Sequence, residues 1–132
     1  MKQLILVPFA VFSQNLFSQD LSIQTTTDSI YSDKEVDLKP EAIGGKDKMN
    51  SYIMKHYQLP DEQGLNGKVI VSFVVEKDGS VSDYQIVQDV GFNTGTQLLE
   101  ILRKFDRWKP GQKNGIPVRV RYHFPLNVMT AQ

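Results

Sequence analysis

His56 and His123 are the only imidazoles in the 132-residue chain, which has no cysteine. Without thiolates there is no disulfide framework, no cysteine nucleophile and no sulfur-ligated zinc site. The two histidines form no H-x-H or H-x-x-x-H pair, and a metal would need three or four such ligands. His56 falls among apolar residues at helical spacing, where a satisfied, half-buried imidazole is the ordinary role; His123 stands among basic residues. Asp61-Glu62 and Asp78 lie in turn-like stretches, where short acidic side chains serve the backbone. No G-x-S-x-G elbow, phosphate loop or G-x-G-x-x-G occurs. No catalytic, metal-binding or cofactor-binding residue is therefore expected, and the protein is not expected to be an enzyme.

Charge offers more. The formal net charge is zero, from 15 basic and 15 acidic residues. Residues 1–99 nevertheless carry 8 basic and 13 acidic side chains, whereas residues 100–132 carry 7 basic and 2 acidic. A zero balance argues against a polyphosphate binder. Arg119 and Arg121 lie near Lys109, Lys113 and Trp108, but Tyr122 and Phe124 belong to the opposite strand face, so no aromatic platform for bases forms. Neither a nucleic acid nor a small-molecule substrate is expected. What remains is a strand whose edge could receive another strand.

The elements that position these residues follow from periodicity. Met1-Lys2, the apolar run Leu4–Phe12 interrupted by Pro8, and the polar residues after it read as a secretory signal peptide over residues 1–18. That run is too short to span a bilayer, so the mature form is expected to have no membrane span. Residues 19–37, rich in Ser, Thr and Asp, are expected to be a flexible leader. Residues 38–132 are expected to form one domain, with a first helix over Lys46–Tyr57 ended by Leu59-Pro60. Lys68–Glu76 and Val81–Val90 form a hairpin around Asp78-Gly79. A second helix is expected over Gln97–Arg107, stopped at Trp108-Lys109-Pro110-Gly111. In the last strand Val118, Val120, Tyr122, Phe124, Leu126 and Val128 alternate with Arg119, Arg121, His123, Pro125 and Asn127. Pro125 cannot donate to a ladder and favours a sheet edge. The order αββαβ predicts an α+β fold, a three-stranded antiparallel sheet with both helices packed on one face.

Taken in order, Gly67-Lys68-Val69 through Val75, Asp78-Gly79-Ser80-Val81, Arg107-Trp108-Lys109-Pro110-Gly111, and Gly115-Ile116-Pro117-Val118 through Val128 resemble the C-terminal domain of the energy transducer TonB. The resemblance covers about Leu38 to Val128. It implies a periplasmic, non-enzymatic domain that adds the TonB box of an outer-membrane transporter to the edge of its last strand. In that family, force or conformational change passes from the ExbB–ExbD motor complex to the transporter. Carried onto this sequence, the receiving strand is Val118, Arg119, Val120, Arg121, Tyr122, His123 and Phe124. Gln58-Leu59-Pro60 takes the place of the family's tyrosine-proline segment, with Leu59 in place of the tyrosine. Gly67, Gly79, Trp108, Pro110 and Gly111 are expected to be structural.

The resemblance implies a periplasmic peptide-binding module for TonB-dependent transport, without cofactor. The chain is expected to lack the transducer's anchor and long Pro-rich spacer. The alternatives are an envelope structural or self-associating protein, with a homodimer formed through exposed edges, and a truncated transducer anchored by its first residues. The basic excess after residue 99 is expected to draw an acidic peptide toward the final strand.

Overall fold

Alternation in Asn66–Val75 puts Val69, Val71, Phe73 and Val75 on one side of a strand, and all four are buried. In the computed structural model, which describes residues 28–132, these side chains join Met49, Ile53, Leu98, Ile101, Leu102, Phe124 and Val128 in one apolar cluster. The elements are β1 (Ile30–Ser32), β2 (Glu41–Ala42), α1 (Lys46–His56), β3 (Asn66–Val75), β4 (Val81–Gln88), α2 (Thr94–Leu102), β5 (Trp108–Lys109), β6 (Gly111–Lys113) and β7 (Ile116–Met129). Both helices therefore cover the same sheet face, and the fold is α+β. The expected signal peptide and the first part of the leader lie outside the described residues.

The antiparallel trio β7-β3-β4 is the sheet read from the sequence. It is not complete in itself: the sheet has five strands, because β1 and β6 also pair with β7. β6 joins Ile116–Val118 through the tight Asn114-Gly115 turn, where both residues have positive φ. A separate short pair links β2 to β5.

Two boundaries moved for physical reasons. α2 ends at Leu102, five residues before the expected Arg107. There Lys104 N–H donates to the Ile101 carbonyl and Phe105 N–H to the Leu102 carbonyl, a tightened last turn that swings Phe105 onto Tyr52 and Trp108 into the core. Of residues 28–37, expected within a flexible leader, Ile30–Ser32 instead pairs with β7, while Glu35 and Asp37 are held by Lys113 and Asn114 at the end of β6. Their ordering does not depend on core burial; backbone pairing and polar contacts supply it.

Candidate functional site

β7 is 14 residues long, and its two edges have different fates along its length. One edge pairs with β3 from Val120 to Met129. On the other, β1 runs parallel with Ile30, Tyr31 and Ser32 opposite Arg119, Val120 and Arg121. Beyond that, among the described residues, no strand pairs with Tyr122–Met129 on the side away from β3. The candidate receiving strand is thus divided. Arg119 has β1 on one side, and Val120 and Arg121 have strands on both sides, while Tyr122, His123 and Phe124 begin the open stretch.

The even-numbered residues of β7 turn inward. Val120, Phe124 and Val128 are buried, and Tyr122 packs its ring 5.1 Å from Trp108 and 5.6 Å from Phe73. Burial, with a smaller contribution from the Asp33 carboxylate, pushes the Tyr122 phenol up.

The odd-numbered face is not the free basic surface that alternation suggested. Arg119 Nε donates to Glu76 Oε1 at 2.8 Å, and Nη2 donates to Oε2 at 3.3 Å. Ser82 Oγ donates to the same carboxylate at 2.5 Å. Arg121 donates to the Ser72 hydroxyl at 3.2 Å and is ion-paired with Asp83. Asp83 sits at a bulge with φ +52°, which brings its carboxylate to Arg121. Arg119 holds the Glu76 carboxyl below its usual range, and Arg121 does the same for Asp83. Both guanidiniums are neutralised within the first hairpin, Arg119 by Glu76 just past the end of β3 and Arg121 by Asp83 of β4, which reaches it across β3. His123 is exposed.

Gln58, Leu59 and Pro60 lie elsewhere. Gln58 N–H donates to Gln97 Oε1 at 2.6 Å, and Gln97 Nε2 donates back to the Gln58 carbonyl at 2.8 Å, fixing the exit from α1 against α2. Leu59 lines a groove with Met54, Leu126 and Met129, at the far end of β7. From Val120 to Leu126 the strand rises about 20 Å. The segment therefore borders the open stretch, not the part covered by β1. Met54, Leu59 and Met129 are 74%, 55% and 66% exposed, a concentration of apolar surface beside an unpaired edge. Sequence reasoning missed Met54 and Met129, whose exposure depends on the packing of α1 against β7.

The glycines and Trp108 mark close approaches. Trp108 is buried, and its Nε1 donates to the Phe105 carbonyl at 2.7 Å. Its backbone N–H donates to the Gly79 carbonyl at 2.8 Å, so the hairpin tip and the Trp-x-Pro-Gly segment are in contact. A Cβ on Gly111 would stand 2.7 Å from the Val120 side chain, and one on Gly67 would run into Val90. Pro110 lies between β5 and β6 and is partly buried. No group of three or more His, Asp or Glu side chains placed to hold a metal occurs among the described residues. No helix among them is long and apolar enough to cross a membrane.

The family model described as "Gram-negative bacterial TonB protein C-terminal" matches residues 58–127, which is 70 of the 132 residues. No curated protein matches. Among solved structures, the chain is similar to the NMR solution structure of the Helicobacter pylori TonB C-terminal domain, at 22% identity and a TM-score of 0.45, over 64% of this chain and 79% of that one.

Proposed function

The chain belongs to the TonB protein C-terminal family, and from that premise we propose that it is a periplasmic protein-binding module of TonB-dependent transport. Its partner is the TonB box of an outer-membrane transporter, received as an added strand on the outer edge of β7. The observation that carries this reading is the open stretch Tyr122–Met129, bordered by exposed Met54, Leu59 and Met129. A strand edge offers a row of backbone donors and acceptors that an extended peptide can satisfy. Side chains of the peptide that point toward α1 would meet the apolar groove, supplying contact that the ladder alone does not.

A labelled TonB-box peptide titrated against the full chain tests the reading. Saturable binding is expected, and the same peptide N-methylated at alternate backbone nitrogens is expected to bind at least about tenfold more weakly, since two or more hydrogen bonds worth about 0.5–1.5 kcal/mol each are lost. Equal affinity for the two peptides would rule out strand addition. Absence of binding by either would end the TonB-box reading altogether.

A further inference from the structure

The residues that cover part of the β7 edge lie outside the span matched by the family model, which begins at residue 58. Ile30–Ser32 pairs in parallel with Arg119–Arg121. Its attachment is polar and comes from both ends. Arg119 Nη1 donates to the Asp28 carbonyl at 3.0 Å, and Lys113 Nζ donates to the Glu35 carbonyl at 2.9 Å. Asp37 accepts a hydrogen bond from Asn114 N–H at 2.7 Å. The Glu35 carboxylate closes the intervening turn by accepting from Ser32 N–H at 2.7 Å. Lys113 also lies 5.7 Å from the centre of the Tyr31 ring.

Burial contributes little. Ile30 is 44% exposed, Ser32 is exposed, and no residue of β1 belongs to the apolar core. A three-residue strand held by backbone pairing and surface polar contacts belongs to the least stable part of a fold. The backbone groups it satisfies on β7 are of the kind that any extended chain can satisfy.

We propose that Ile30–Ser32 is a competitor strand in cis, which occupies the Arg119–Arg121 stretch of the edge until a partner peptide displaces it. A peptide first pairs with the open stretch Tyr122–Met129 and then extends along β7 by replacing β1. The module thereby regulates its own peptide site: a short strand partner gains only the open stretch, and a long one gains the whole edge. This inference rests on the strand-addition reading above.

A reversible lock tests it. The chain has no cysteine, so Ile30→Cys with Arg119→Cys, at two register partners, gives a single disulfide that fastens β1 to β7. A TonB-box peptide long enough to cover the whole edge is expected to bind the oxidised full chain at least about tenfold more weakly than the same variant after reduction. The wild-type chain is expected to be indifferent to reductant. Comparing one variant in two redox states removes the effect of losing the Arg119 guanidinium. Tyr31→Pro, which puts a residue with no N–H and a fixed φ at the centre of β1, is expected to tighten binding several-fold. Equal affinity in the oxidised and reduced forms, or unchanged affinity in Tyr31→Pro, overturns the competitor role and leaves strand addition standing. If the peptide binds neither the wild-type chain nor any variant, strand addition itself fails, and the competitor with it.

Discussion

At Gly79 the backbone runs at φ +87°, and the missing side chain leaves room for the Trp108 carbonyl oxygen, onto which a Cβ would fall. The same glycine accepts the Trp108 N–H at 2.8 Å. Conformation and space therefore make separate demands on one residue. Gly79→Ala is expected to destabilise the fold by about 2–3 kcal/mol, as left-handed strain adds to displacement of a buried backbone segment. Urea denaturation followed by tryptophan fluorescence measures it, and a loss within about 0.5 kcal/mol would show that the hairpin tip moves freely. Trp108→Phe keeps a ring against Phe73 and Tyr122 but loses the Nε1 bond to the Phe105 carbonyl, now left without that donor. Its cost is expected to be about 1–3 kcal/mol, from the lost bond and the smaller ring. The turn at Asp78-Gly79 was legible in the sequence because its chemistry is local. Its contact with a tryptophan 29 residues away was not, because no spacing rule encodes which loop a hairpin tip will touch.

Among the elements, those defined by a strong period were legible: the β3–β4 hairpin, α1, and the alternation of β7. The elements missed were short ones, β1, β2, β5 and β6, each of two or three residues and too brief for any period to register. The β1 signal was only the Ile30-Tyr31 pair within a polar stretch, and its pairing depends on an edge formed some 90 residues later. Alternation correctly placed Arg119 and Arg121 on the face away from the helices, but said nothing of the carboxylates that the β3–β4 hairpin would set beside them. That face now carries a testable energetic consequence. A double-mutant cycle on Glu76→Gln and Arg119→Gln is expected to give a coupling of about 1 kcal/mol at neutral pH, because both side chains are roughly three-quarters shielded. The folded-state carboxyl of Glu76 is held below its usual range by Arg119. The coupling is therefore full above the ordinary glutamate pKa of about 4.3 and is lost as the pH falls through the lower folded value. Coupling that persisted unchanged well below that range would mean the pair acts by packing and not by charge.

Across the whole molecule, the charge asymmetry of the sequence is spent internally. All three ion pairs among the described residues join a base from residues 100–132 to an acid from residues 1–99: Lys109 to Glu41, Arg119 to Glu76, and Arg121 to Asp83. Folding brings the basic final strand against the acidic first hairpin, so opposite charges that are separated along the chain become neighbours in the sheet. Lys113 is likewise engaged, by the Glu35 carbonyl and the Tyr31 ring. The expected basic receiving edge, able to steer an acidic peptide from a distance, does not survive this pairing at its two central arginines. Exposed charges beyond about 8–10 Å are in any case largely screened at physiological ionic strength. Peptide affinity is accordingly expected to rest on the backbone ladder and the groove beside Leu59, and to change by less than about threefold between roughly 50 and 500 mM salt. Titration of the TonB-box peptide across that range, by fluorescence anisotropy, decides the matter. A fall of tenfold or more would return the driving force to long-range charge, and would place the binding surface on Lys104 and Arg107, exposed bases without an ion pair among the described residues, instead of on the open edge of β7.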